Sequence, residues 1–305
     1  MEKMAKTNLH QCLIIINILL MFFATNQGFC EHLDHQHKPK SKHFVLVHGS
    51  CLGAWSWYKL LPLLKSSAYK VSAIDLAASG IDSLQPNDLR SMVEYFQPLT
   101  DLMAALPLNQ KVILVGHSLG GLAISYAMQH FPEKILVSVF VTAQMPGPAL
   151  NISTLSQELL KKSGPGPGLD NKYTYDNGLN NPPTTFLFGP NFLSQKVYDL
   201  SPSEDIDLAI TLIRPLPLFS IQDMSKILVL SNEKYGSVPR VYIISEEDKI
   251  MDKEVERWMI KKNTPNKVVT IKGSDHMVMV SQPLQLFAHL QRIAAEFEYH
   301  NQGRP

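Results

Sequence analysis

The feature that most constrains this chain is residues 111–121, KVILVGHSLGG. Residues 112–115 are apolar and mostly β-branched with no polar alternate, which is the pattern of a strand covered on both faces. Gly116, Ser118 and Gly120 then fit G-x-S-x-G, and residues 119–130 carry a helical pattern that ends before Pro132. A strand, a tight turn and a helix leave the serine in a strained backbone conformation, with its hydroxyl lifted out of the sheet. Side chains at the flanking glycines would strike the neighbouring strand and helix. Ser118 is therefore the candidate nucleophile, and the N–H of Leu119 points where a developing oxyanion would lie.

Around this stretch strand and helix alternate. Strands are expected at 43–47 (HFVLV), 70–75 and 135–142, and helices at 54–64 and 89–106. That alternation predicts an α/β fold, a mainly parallel sheet covered by helices on both faces. From residue 143 the pattern changes. Pro, Gly, Asn and Ser dominate to about 220, GPGPG at 164–168 marks a loop, and the short helical candidates (153–162, 189–198, 203–212) come with no strand. An insertion at about 144–220 is placed to form a helical cap over Ser118. Met145, Phe186, Phe188, Phe192 and Phe219 are candidates for an apolar lining or for the cap's own core. The sheet resumes at 240–245 and closes with 268–271, ahead of a last helix from about Pro283.

Two late loops carry the remaining chemistry. Glu246, Glu247 and Asp248 follow the strand at 240–245, and a carboxylate there can orient a histidine and stabilise its imidazolium form. Spacing leaves all three acids open. His276 follows the final strand and is placed to reach back to Ser118, giving the chain order serine, acid, histidine. The loop after the first strand, HGSCLGAW, bears the glycine that lets a backbone N–H approach a substrate, so the Ser50 N–H is the second candidate oxyanion donor. His48, ahead of the nucleophile in the chain, reads as a structural histidine bonded to the loop backbone. Asp75 shapes a loop, Cys51 is a small buried hydrophobe, and His117, His130 and His289 are explained by turn geometry or a solvated helix face.

The N-terminus differs from the rest. Lys3 and Lys6 precede the apolar run 12–24, followed by small and polar residues, so residues 1–30 read as a secretory signal peptide. The apolar run is too short for a stable membrane span, although an uncleaved N-terminal anchor and a cytoplasmic chain are the alternatives. Residues 31–42 form a polar linker in which His32, His35 and His37 are solvated rather than metal ligands. On the secretory route Asn151-Ile152-Ser153 becomes a glycosylation acceptor. Cys12, Cys30 and Cys51 cannot make a disulfide framework. With a formal net charge of +1 over 305 residues and no basic run, nothing points to nucleic acid or an anionic membrane as a partner.

The stretches HFVLVHGSCLGAWSWYKL, DLAASG, KVILVGHSLGG, FGPNFL, YGSVPRVYI, EDK and IKGSDHM closely resemble the plant methylesterase family of α/β-hydrolases, the group that also holds the hydroxynitrile lyases. Residues 43 to about 300 carry the resemblance, within a domain taken as 43–305. It implies Ser118 as nucleophile, His276 as general base, Asp248 of EDK as the triad acid, and the backbone of Ser50 and Leu119 as the oxyanion hole. It implies a serine carboxylesterase for small apolar methyl esters of plant-hormone type (methyl salicylate, methyl jasmonate or methyl indole-acetate), with no metal or organic cofactor; on oligomeric state the sequence is silent, a homodimer being open. Gly49, Leu52, Met145, Phe188 and Met277 are its candidate pocket residues. A hormone receptor with weak turnover is the alternative from another class. A hydroxynitrile lyase is disfavoured, because those enzymes carry threonine and lysine where this chain has Gly49 and Met277. Leu52, where many members have histidine, and the leader are departures from the family pattern.

Overall fold

The computed structural model describes residues 42–163 and 168–302. The leader with Cys12 and Cys30, the histidines at 32, 35 and 37, and residues 164–167 of the GPGPG loop lie outside the described residues. In chain order the main elements are β1 (His43–Val47), α1 (Leu60–Ser66), β2 (Lys70–Ile74), α2 (Met92–Ala105), β3 (Val112–His117), α3 (Gly120–His130) and β4 (Ile135–Val141). The inserted segment then contributes α4 (Ile152–Ser163), β5 (Lys172–Thr174), β6 (Thr185–Leu187), α5 (Ser203–Leu212), β7 (Leu216–Pro217) and α6 (Ile221–Ile227). The chain returns through β8 (Arg240–Ser245), α7 (Lys253–Lys262), β9 (Lys267–Ile271) and α8 (Pro283–Gln302).

Six of the strands pair in the order β2-β1-β3-β4-β8-β9, every pair parallel. Alternation within each strand explains why the sequence shows no polar face. Val45, Val47, Val112 and Leu114 pack on one side of the sheet, and Phe44, Leu46, Ile113 and Val115 on the other. The first side is covered by Tyr95, Phe96 and Leu99 of α2 and Leu122, Ile124 and Met128 of α3; the second by Leu60 and Leu64 of α1 and Leu286, Leu290 and Ile293 of α8. Each such side chain removed from water contributes about 1.5–3 kcal/mol, which makes the two-faced sheet the main source of stability. The strand order reverses direction between β1 and β3. Ligands of open α/β sheets bind in the crevice at such a point, beyond the carboxyl ends of the strands.

Three expectations are corrected. The helix expected over 54–64 is a 3₁₀ turn at Ala54–Trp57 followed by α1, because a continuous helix would put Pro62 in its interior, against the carbonyl of Tyr58. The helix expected from 89 begins at Met92, where the Ser91 hydroxyl accepts the Glu94 N–H at 3.3 Å and caps it. The cap is not purely helical: β5, β6 and β7 form a three-stranded antiparallel sheet, and α6 extends the insertion past residue 220. Strands of two or three residues are too short to show a period of two. Within the cap Tyr173, Phe186, Phe188 and Phe192 contact one another in series, with ring centroids 5.1–5.3 Å apart.

Candidate active site

β3 delivers Ser118 at the reversal point. Its φ is +53°, in the left-handed region that a non-glycine residue enters at a cost of about 1–3 kcal/mol. The surroundings impose that conformation: the Ser118 N–H donates to the Val141 carbonyl (3.3 Å), and the Ser118 carbonyl accepts from Gly121 and Gln144 (both 3.1 Å). Two glycines make the approach possible. A Cβ on Gly120 would lie 2.5 Å from the His48 carbonyl oxygen, and one on Gly49 would lie 2.8 Å from the Ser118 Cβ. Gly49 thus lets the loop after β1 close over the elbow. Ser118, Leu119 and Ser50 all remain partly exposed. Among the described residues the N–H groups of Ser50 and Leu119 have no hydrogen-bond acceptor.

The loops after β8 and β9 bring the acid and the base. The Ser118 hydroxyl lies 3.0 Å from His276 Nε2, and His276 Nδ1 lies 2.8 Å from Asp248 Oδ2. Since a carboxylate only accepts, Nδ1 carries the proton and Nε2 is left to accept from the serine. Of the three acids, Asp248 is the one whose carboxylate meets His276; the Glu246 and Glu247 backbones tie their loop to Ile271 and Ser274. Asp248 is 7% exposed and uses both oxygens: Oδ1 accepts from the N–H groups of Ile250 (2.7 Å) and Met251 (3.0 Å), and Oδ2 also accepts from the Thr142 hydroxyl. Burial acts to raise its carboxyl, but the His276 ring and these donors outweigh burial and hold it below the ordinary carboxylate value.

The structural readings of His48, Asp75 and Cys51 hold around this relay. His48 Nδ1 donates to the Gly49 carbonyl (2.8 Å) and Nε2 accepts the Leu76 N–H (3.0 Å), so it is structural. Asp75 braces its loop by accepting the Ala54 N–H at 2.6 Å. Cys51 is buried, and burial pushes its thiol up to about 12, away from reactivity. Of the candidate pocket residues, Leu52 and Met277 are packed in the core facing α1 and α8, and Met145 in the opposite core. Phe188 is partly buried and packs against both. Asn151 is exposed and its Oδ1 accepts the Thr154 N–H, capping α4.

His117 needs correction. Neither turn geometry nor a solvated helix face accounts for it: it ends β3, is fully buried, its ring lies 4.7 Å from that of His276, and its Nε2 donates to the His276 carbonyl at 2.8 Å. Burial first, and the neighbouring His276 second, push its pKa down to about 3, so it stays neutral. Sequence reasoning also missed Thr142, whose only signal was a polar residue ending an apolar strand. It missed Glu256 on α7 as well, a 2% exposed carboxyl lying against the Tyr242 hydroxyl. Burial and then the nearby Asp248 push Glu256 up to about 8.

A parallel sheet with serine, histidine and aspartate hydrogen-bonded in that order at its reversal point defines a hydrolase of the α/β class. The chain matches the model of the alpha/beta hydrolase family over residues 44–290. It is 49% identical over 260 residues to methyl jasmonate esterase 1 of Vitis vinifera, covering 85% of this chain and 99% of that protein. It is 43% identical to salicylic acid-binding protein 2 of Nicotiana tabacum over 85% of this chain and 99% of that one. Among solved structures, a mutant of tomato methylketone synthase I superposes with a TM-score of 0.81 at 50% identity, covering 84% of this chain and 99% of that chain. The chain belongs to the alpha/beta hydrolase family and, within it, to the plant methylesterases, and its class is carboxylic ester hydrolase.

Proposed function

We propose that the protein hydrolyses small, largely apolar methyl esters of plant-hormone type to the acid and methanol. The observation that carries this reading is the unbroken relay from Ser118 Oγ through His276 to Asp248, at 3.0 and 2.8 Å, beneath a cap rich in partly buried aromatic residues. Ser118 Oγ attacks the ester carbonyl carbon while its proton passes to His276 Nε2; Asp248 stabilises the imidazolium. The oxyanion is held by the N–H groups of Ser50 and Leu119, which have no competing acceptor among the described residues, each worth about 3 kcal/mol. Collapse of the tetrahedral intermediate breaks the bond to the methoxy oxygen, which takes the proton from His276 Nε2 and departs as methanol. Water then attacks the acyl-enzyme with His276 again as base, releasing the acid and restoring Ser118. The names of the relatives support methyl esters of jasmonate as the first to test. Purified protein is assayed against methyl jasmonate, methyl salicylate and methyl indole-acetate for methanol release; absence of turnover on all three, with an intact Ser118, refutes the reading.

A further inference from the structure

One short piece of the cap, Asp199-Leu200-Ser201, touches the neighbours of both the acid and the base. Asp199 forms an ion pair with Lys249, the residue after Asp248, at 2.7 Å. The Leu200 N–H and the Ser201 hydroxyl donate to Asp275 Oδ2, in the residue before His276, at 3.0 and 2.8 Å. Asp275 is fully buried, and its other oxygen accepts the Met277 N–H at 3.0 Å, so its carboxyl straddles the histidine. From beneath, the same loop is held by the Ser245 hydroxyl on the Asp275 carbonyl (2.6 Å) and by His117 on the His276 carbonyl (2.8 Å). The cap piece is itself anchored, since α5, which follows it, presents buried Asp205 to Lys59 and the Tyr58 hydroxyl.

We propose that Asp199-Leu200-Ser201 is a clasp by which the cap sets the aim of His276, with Asp275 as the positioning residue that receives it. His276 must satisfy two partners on opposite sides of one ring, and the adjacent residue's Cα is only about 3.8 Å away, so a displaced Asp275 carries the ring with it. A misplacement of about 1 Å in a catalytic group costs about 10²-fold in rate. Burial raises the Asp275 carboxyl above its ordinary value, which is the expected strain of a buried acid compensated by hydrogen bonds alone, and losing the Ser201 donor weakens that compensation. The cap thus does more than enclose the substrate: its seating and the alignment of the base are one event.

The inference rests on the roles assigned to Ser118, Asp248 and His276, and the test separates the two. The full chain is labelled with a fluorophosphonate, which reports His276-assisted reactivity of Ser118 without a cognate substrate, and kcat and KM are measured on methyl jasmonate. Failure of wild type to label at all refutes the triad roles and the clasp with them. With wild type labelling, Ser201→Ala and Asp275→Asn are expected to label completely but about 10- to 100-fold more slowly, with kcat lower by the same factor and KM within about threefold. Ser201→Thr, which keeps the hydroxyl, is expected to stay within about threefold of wild type. Complete labelling at wild-type rate overturns the clasp. So does incomplete labelling at wild-type rate, which is the signature of partial unfolding. If Asp275→Asn does not fold, Ser201→Ala decides alone.

Discussion

Glu256→Gln tests whether a neutral carboxyl is stored behind the triad acid. Glu256 is 2% exposed, one of its oxygens has no hydrogen-bond partner among the described residues, and Asp248 lies close enough to repel it. Its pKa rises from 4.5 to about 8, and burial is the larger cause. At about 1.4 kcal/mol per unit this is at most about 5 kcal/mol, reduced by any local relaxation around the ionised carboxyl. The fold favours the protonated form. The contribution is therefore fully present below pH 4.5, is lost progressively as pH rises, and is gone above about 8. Glutamine keeps the shape of the neutral acid and cannot ionise. Unfolding by urea at pH 5 and pH 9 is expected to find the two proteins within about 1 kcal/mol at the lower pH, and the variant more stable by about 2–5 kcal/mol at the higher. The difference between proteins cancels other titrations, including His43, which burial first and Lys70 second lower to about 4. Parallel stability curves for wild type and variant from pH 5 to 9 would refute the reasoning.

Ser118→Ala is expected to lower ester hydrolysis by about 10⁴-fold or more with unfolding unchanged; activity within tenfold, in protein free of other esterases, contradicts the nucleophile. Thr142→Val removes one of the donors to Asp248 while keeping its volume, so kcat is expected to fall about tenfold with little change in KM; an unaltered kcat shows that the remaining donors suffice. Residues 1–30 carry the charge and hydropathy pattern of a secretory leader, so the N-terminus of protein from native tissue is expected to lie between residues 27 and 31, and a cytosolic chain starting at Met1 contradicts it.

The sequence alone was enough for whatever repeats locally or follows in order along the chain. Residues 112–121 specify strand, elbow and helix because a two-sided apolar strand and the glycines around Ser118 admit few other backbones. The order of serine, acid loop and histidine loop is likewise a property of the chain. The spacing of Glu246, Glu247 and Asp248 could not name the acid, because adjacent residues differ in direction only once the turn is folded; resemblance indicated Asp248, and in the folded turn it is Asp248 that lies against His276. The burial of His117, the donor role of Thr142 and the neutrality of Glu256 were equally out of reach, since each arises from partners far away in the chain. The same holds for the cap, where β5, β6 and β7 exist only because they pair with one another. Asp199, Leu200 and Ser201 read as loop residues in any local window; contacts some 50 and 75 residues away turn them into a hold on the catalytic loops. Local periodicity reports the faces an element must bury, whereas side-chain partners are chosen by the packed arrangement of all the elements together.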